Sequence, residues 1–274
     1  MTPVQRKSEI FAANRAVGRI ALAVKSAAGA TRRARVREEG ALRVRCPGQP
    51  AAECEAIIVN TAGGMAGGDR FEIDVIVEPG ARLMVTTAAA EKVYRTLGPD
   101  AMVGVRIAVA EHGELAWLPR ETILFDRARL MRTIDVELAA DARLILAEAV
   151  VFGRSGMGET VEAGRYFDRW RIRRCGKLVY AETARLHGPL AQRLAEPAVA
   201  NGGVGLATVV LAPGDDAAVA AARALNLRGE VGASAWNGIA VIRLVAADGA
   251  AIRSDLAAVL TATRASALPR LWLN

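Results

Sequence analysis

The sequence predicts a mostly β protein, with stacked strand-turn-strand layers in a β-helix-like or sandwich-like body and a few helices in the C-terminal third. Three observations carry this. Apolar side chains alternate with polar ones in Phe71-Glu72-Ile73-Asp74-Val75 and again at Val103, Val105, Ile107 and Val109, the period of a half-buried strand. A tight turn followed by a strand recurs at Glu39-Gly40-Ala41-Leu42, Pro79-Gly80-Ala81-Arg82-Leu83, His112-Gly113-Glu114-Leu115, Asp141-Ala142-Arg143-Leu144 and Cys175-Gly176-Lys177-Leu178. Its last four leucines lie 32, 29 and 34 residues apart, a near-constant interval of the kind that stacked coils produce. Antiparallel sandwiches also place Gly and Asp in their turns, so layering and a sandwich both remain open at this point.

The third observation is the change of character beyond residue 185. Asp215 to Asn226 is Ala-rich with an acidic start, and Ser254 to Ser266 places Ser254 as an N-cap ahead of Leu256, Val259 and Leu260; both read as helices. Gly205 to Leu211 and Ala240 to Val245 read as strands between them. The expectation is a single domain over residues 1–274, with a β-rich body to about residue 185 and an α/β appendage over about 186–274 that does not fold independently. No Pro- or Ser-rich linker separates the two.

Composition narrows the class. A 52% hydrophobic content excludes disorder, and 36 basic against 29 acidic residues leave a net charge of +7, which permits acidic partners without requiring them. Only Lys7, Lys25, Lys92 and Lys177 are lysines, so 32 of the basic residues are arginine, a balance that favours ion pairs and packed stems. Three cysteines, Cys46, Cys54 and Cys175, have the wrong parity for a disulfide framework and point to a reducing, cytoplasmic compartment. Neither a signal peptide nor a membrane span is expected, since the uncharged stretch from Ala198 to Ala212 is short and glycine-interrupted.

Chemistry-bearing motifs are scarce. With only His112 and His187 and no Cys-x-x-Cys, a dedicated zinc site is not expected. The glycine-rich Thr61–Asp69 lacks the Gly-Lys-Ser/Thr of a phosphate loop and runs into a strand, so its glycines read as backbone requirements. Gly153-Arg154-Ser155-Gly156 has the wrong spacing for a nucleophile elbow. The arginines at 32, 33, 35 and 37 and at 169, 171, 173 and 174 offer a basic face for RNA, but without a stacking motif they read first as ion-paired strands. By elimination the residues describe a binding or scaffold protein with no catalytic residues of its own; a basic RNA- or protein-binding scaffold is the alternative.

Several segments in order are similar to one known family. Asn60 to Arg70 (NTAGGMAGGDR), then Thr86, Thr87, Lys92, Val93, Tyr94 and Arg95, then Leu115 to Ala128 (LAWLPRETILFDRA), resemble the UreD family of urease accessory proteins. Gly153-Arg154 with Gly158-Glu159, then Trp170, Gly176, Leu178 and the terminal Leu268-Pro269-Arg270-Leu271-Trp272 continue the likeness. It implies a non-enzymatic scaffold, or chaperone, for nickel insertion into the urease apoprotein, bridging urease to the accessory proteins UreF and UreG, with GTP hydrolysis left to UreG. It implies a mostly β fold, no permanently bound cofactor, nickel at most in transit, and neither nucleic acid nor membrane as partner.

Carried over by matching position, the motif glycines are Gly63, Gly64, Gly67 and Gly68, and the candidate partner-contact or nickel-route residues are Asp69, Thr86, Lys92, Tyr94, Arg95, Glu121, Glu159 and Glu182. Asp69, Glu159 and Glu182 are the expected acids of a polar route; the competing reading pairs each with an arginine as a structural ion pair. The sequence departs from the family pattern where Cys54 is followed by Glu55 instead of a frequent His, at Cys175 in place of an Asp before Gly, and at Ala88-Ala89-Ala90-Glu91, with Glu91 at a common Thr position.

Overall fold

A computed structural model describes residues 14–272. The chain opens with β1 (Val17–Ala27) and β2 (Ala30–Gly40), an antiparallel hairpin closed by two left-handed residues, Ala28 and Gly29. It then crosses to a second sheet through β3 (Leu42–Arg45) and β4 (Cys54–Asn60). From there it winds: β5 (Arg70–Val77), β6 (Arg82–Thr87), the short β7 (Glu91–Val93), β8 (Ala101–Val109), β9 (Glu114–Trp117), the short β10 (Thr122–Leu124), β11 (Arg129–Leu138), β12 (Arg143–Phe152) and β13 (Ala163–Arg174). Strands β1, β5, β8, β11 and β13 stack in parallel in one sheet, and β4, β6, β9 and β12 in the other. Strands β7 and β10 pair in parallel with each other, and β10 with the end of β12, as a short third side. This is a β-solenoid-like body, the stacked alternative of the two expected.

Cross-coil contacts confirm the interval. Arg106 pairs with Asp74 at a separation of 32 residues, Arg129 with Asp100 at 29, and Arg132 with Asp168 at 36. Leu83 lies beside Leu115, and Leu115 beside Leu144, so three of the recurring leucines form one buried stack. Leu178 does not join it. Cys175 and Gly176 both take positive φ (50° and 74°) and reverse the chain within two residues into β14 (Lys177–Pro189), antiparallel to β13 in the same sheet. That tight turn cannot serve as a solenoid corner, and Leu178 is left 45% exposed.

Beyond β14 come α1 (Leu190–Ala195), β15 (Gly205–Ala212), α2 (Asp216–Arg223), β16 (Glu230–Trp236), β17 (Ile239–Ala246) and α3 (Gly249–Thr263). The three strands extend the second sheet antiparallel from β12. Helix α2 starts where expected, with the Asp215 carboxylate accepting from Ala218 N–H. Helix α3 starts earlier than expected: Asp248 is its N-cap, accepting from Ala250 and Ala251 N–H at 2.8 Å, and Ser254 lies inside the helix. A carboxylate reaching two orphan N–H groups, followed by residues of ordinary helical conformation, nucleates the first turn ahead of the serine.

Two apolar layers result. Ile20, Leu83, Leu115, Leu130, Ile134, Leu144 and Ile172 fill the space between the sheets. On the outer face of the second sheet, Val209, Ile242 and Leu244 pack against Ile252, Leu256, Val259 and Leu260 of α3 and against Trp272. Strand β12 lies between both layers and is buried at almost every position, which explains why its residues 146–152 are buried without interruption and, Glu148 apart, apolar on both faces. We expect Leu115→Ala to lower unfolding free energy by about 2–5 kcal/mol and Leu178→Ala by about 0.5 kcal/mol or less, measured by urea denaturation; equal losses would contradict the leucine stack as drawn.

Candidate functional site

The glycine motif forms the corner between β4 and β5. Asp69 uses both carboxylate oxygens there: Ala16 N–H donates at 2.8 Å and Ala66 N–H at 2.7 Å. The acid therefore ties the entry of β1 to the corner, and it is 4% exposed. Gly64 and Gly67 sit against the next coil. A Cβ on Gly64 would lie 2.5 Å from the Tyr94 ring, and one on Gly67 would lie 2.5 Å from the Pro99 carbonyl oxygen.

Tyr94 donates its hydroxyl to the Gly63 carbonyl at 2.8 Å and meets Phe125 of the following coil edge-on, with centroids 5.2 Å apart. The Arg154 guanidinium lies 4.0 Å over that Phe125 ring and pairs with Glu159 at 2.7 Å. Motifs scattered over some hundred residues thus become one ridge of stacked corner loops. Lys92 and Arg95 stand exposed on it, as do Leu97 and Met157.

Two other expected residues hold the C-terminal end. Thr86 is fully buried and accepts from Trp272 Nε1, which also donates to the Leu118 carbonyl. Glu121 pairs with Arg253 of α3 and with Arg120, and Arg120 donates to the Leu271 carbonyl. Burial pushes the Glu121 carboxyl up, but the Arg253 bond and charge prevail and hold it below the ordinary carboxylate range. The Leu-Pro-Arg-Glu-Thr-Ile motif is therefore the anchor of the terminal Leu-Pro-Arg-Leu-Trp segment.

The polar centre of the solenoid lies elsewhere. Arg132 on β11 points inward with a bidentate contact to Asp168 on β13, Nε to Oδ1 at 3.0 Å and Nη2 to Oδ2 at 2.5 Å. Its remaining nitrogen meets Glu148 on β12. Trp117 Nε1 donates to Glu148 at 2.9 Å and the Tyr166 hydroxyl to Asp168 at 2.9 Å. All three charged side chains are buried.

One guanidinium faces two carboxylates, which share it unequally. Asp168 takes the bidentate contact and a hydroxyl. Glu148 has one guanidinium nitrogen and an indole, and burial raises its carboxyl pKa despite Arg132, with Asp168 adding repulsion. Burial and the neighbouring Asp168 raise the Tyr166 hydroxyl, while the two carboxylates hold Arg132 charged against its own burial.

These residues border a cavity of about 350 Å³ that is also lined by Glu182, Arg185, Thr208 and Arg243. Glu182 stands there on β14, paired with Arg243 at 3.1 Å and accepting from the Tyr180 hydroxyl. Of Asp69, Glu159 and Glu182, only Glu182 lines this cavity; Asp69 is held by two backbone N–H groups and Glu159 by Arg154. A smaller space of about 70 Å³ on the other side of Arg132 and Glu148 is lined by Trp117, Glu91 and Arg120. The Asn60 amide donates to both Glu91 oxygens, yet burial raises this carboxyl to about 7.

Sequence reasoning missed Arg132, Glu148 and Asp168. Their signal was available: each occupies an inward position of its strand's period of two, as in Leu130-x-Arg132-x-Ile134 and Tyr166-x-Asp168-x-Trp170. The second arginine cluster is committed to structure, with Arg169 paired to Asp135, Arg173 to Glu137, and Arg174 donating to the Ala139, Ala140 and Ala142 carbonyls.

Fold and site define the class as a β-solenoid with a buried ionic centre beside a cavity. Among the described residues it has no group of three or more His, Cys, Asp or Glu side chains placed to hold a metal ion, and no helix long and apolar enough to cross a membrane. Compared with known proteins, residues 16–273 match the family model described as UreD urease accessory protein. Proteins named urease accessory protein UreD are 55% identical over 269 residues in Rhodopseudomonas palustris strain CGA009, covering 97% of this chain and 96% of that one. The counterpart of strain BisB18 is 51% identical over the full length of both, and that of Bradyrhizobium diazoefficiens is 50% identical over 97% of each. The chain belongs to the UreD family, and so to the urease maturation machinery.

Arg132→Met leaves two buried carboxylates without their cation and should cost about 3–5 kcal/mol; a loss under about 1 kcal/mol in urea unfolding would mean that cavity water solvates them. Glu91 titrates at about 7 when folded against an ordinary 4.5, so the folded state holds the extra proton between those values. Its contribution is full below pH 4.5 and lost as pH rises through 7, by roughly 3 kcal/mol. Glu91→Gln should therefore flatten that part of the stability profile and gain on the native protein at pH 8; unchanged pH dependence would contradict this.

Proposed function

We propose that this chain is the non-enzymatic scaffold of urease metallocentre assembly, acting as a single cytoplasmic domain. It binds UreF, through it the GTPase UreG, and the urease apoprotein, and nickel travels as cargo and not as a resident cofactor. The observation that carries this reading is full-length similarity, at about half identity, to proteins named as urease accessory proteins. The sequence holds no phosphate loop, so GTP hydrolysis falls to UreG. Large exposed apolar side chains such as Leu97 and Met157 support a surface that a partner covers.

In this reading the cavity beside Arg132 is the polar route. Glu182, Glu148 and Asp168 present carboxylates that bind Ni²⁺ weakly enough to release it, beside Arg132, Arg185 and Arg243 on the same cavity wall. Asp69 and Glu159 serve as structural partners of backbone and arginine. Nucleic acid is not a partner in this reading: the arginines at 169, 171, 173 and 174 are spent on carboxylates and carbonyls, and the sequence carries no base-stacking motif.

The test is urease activity and nickel content in nickel-fed cells that express the structural subunits and the other accessory proteins, with and without this chain. Activity only in its presence is expected; equal activity without it would overturn the reading. Glu182→Gln should lower nickel per urease at least about threefold while leaving co-purification with UreF unchanged, and normal nickel content would remove Glu182 from the route.

A further inference from the structure

Cys46 and Cys54 bracket the loop that joins β3 to β4. The register sets Val44 opposite Ile58 and Arg45 opposite Ile57, so residues 46 and 54 fall on the same face as diagonal neighbours. Both are half-buried free thiols close enough to shift each other's ionisation, and the Cys54 thiol donates to the Glu55 carbonyl at 3.8 Å. The loop between them, Pro47-Gly48-Gln49-Pro50-Ala51-Ala52-Glu53, closes over an open cavity of about 480 Å³ lined by both cysteines, Arg33 and Glu55. Cys175 stands apart, at the β13–β14 turn on the opposite edge of the solenoid.

The two sulfurs are chemically unequal. The interaction with the Cys54 thiol lowers the Cys46 thiol to about 7 against the opposing effect of burial, with help from the Arg33 charge. The same interaction, with burial, pushes Cys54 up. Cys46 is thus the more readily ionised sulfur of the two. A thiolate beside a solvent-open cavity with a second thiol in reach is the arrangement of a nucleophilic and a resolving cysteine.

We propose that Cys46 and Cys54 form a redox-responsive pair that closes a reversible disulfide across the β3–β4 loop when a peroxide oxidises it. The Cys46 thiolate attacks one peroxide oxygen and breaks the O–O bond. The sulfur is oxidised to sulfenic acid, and the departing hydroxide takes a proton to become water. The Cys54 sulfur then attacks the sulfenic sulfur, the S–O bond breaks, and the hydroxide leaves with the Cys54 proton as a second water. Two electrons pass from the two sulfurs to the peroxide.

The loop can follow the bond. A Cβ on Gly48 would meet nothing within 4 Å, so the segment has room to move. Its far end carries Glu53, which pairs with Arg264 just beyond α3 at 2.5 Å. Closing the bond therefore acts directly on the contact that joins this edge of the solenoid to the C-terminal layer.

The test uses the full-length chain carrying Cys175→Ser, so that only the two loop thiols remain. Hydrogen peroxide should remove both thiols, lower the monomer mass by two hydrogens, yield one peptide joining residues 46 and 54, and be reversed by a dithiol reductant. Iodoacetamide at pH 7 should label Cys46 at least about tenfold faster than Cys54. Adding Cys54→Ser should halt oxidation at sulfenic or sulfinic acid, with an unfolding midpoint like that of the parent confirming a folded protein. Intermolecular dimers alone, equal labelling of the two thiols, or over-oxidation of Cys46 with Cys54 still free would each overturn the proposal.

Discussion

Parallel stacking of coils imposes one constraint on every residue of the body: a side chain that points inward in one coil must accept the side chain at the same register position in the coils on either side. The backbone hydrogen bonds between β5, β8, β11 and β13, and between β4, β6, β9 and β12, leave no freedom to slip, because a shift of one residue would turn every inward side chain out. The buried leucine stack satisfies that constraint inside the solenoid. Outside it, the cross-coil pairs of Arg106 with Asp74 and Arg82 with Glu114 satisfy it with opposite charges; these are exposed, and they fix register more than they add stability.

The same constraint explains the corners. Coils of unequal length must still bring their corner loops onto one another, and the close fit of Gly64 against Tyr94 and of Gly67 against Pro99 leaves no volume for a side chain. Gly153 is held similarly, since a Cβ there would lie 2.6 Å from the Glu159 carbonyl oxygen. The sequence motifs that mark the family are therefore mainly the addresses at which successive coils touch. Their acids, Asp69 and Glu159, complete those contacts and leave the interior polar chemistry to other residues.

Against this repetitive frame the Arg132 centre is an exception. An apolar trio of similar volume would satisfy the register without desolvating three charges, and such replacements are often neutral or stabilising. The cluster is instead unbalanced, with two carboxylates on one guanidinium and a cavity on its flank that Glu182 also reaches. A buried ionic cluster kept beside open volume is the feature on which the proposed nickel route rests. The C-terminal layer adds the outer wall: β17 brings Arg243 to Glu182, and α3 brings Arg253 to Glu121.

How much could be read in advance follows from which forces are local. Strand periodicity, the near-constant spacing of turn and leucine, and the Asp215 cap depend on neighbours in sequence or on a simple repeat, and they were legible. The fifth repeat and the start of α3 misled because Gly176 and Ser254 carry the same local signal as true corners and caps; pairing with β13 decides the first, and the second is decided locally by Asp248, whose carboxylate reaches Ala250 and Ala251 N–H ahead of the serine. Arg132, Glu148 and Asp168 lie on three strands and acquire their roles only when coils stack. By itself the sequence determined the β class, the coil length, the chemistry it lacks and the family it resembles, because those reside in composition, period and motif order. The tertiary structure alone decided which charges are buried together and which acids face a cavity, because desolvation and proximity arise from packing between residues far apart in the chain.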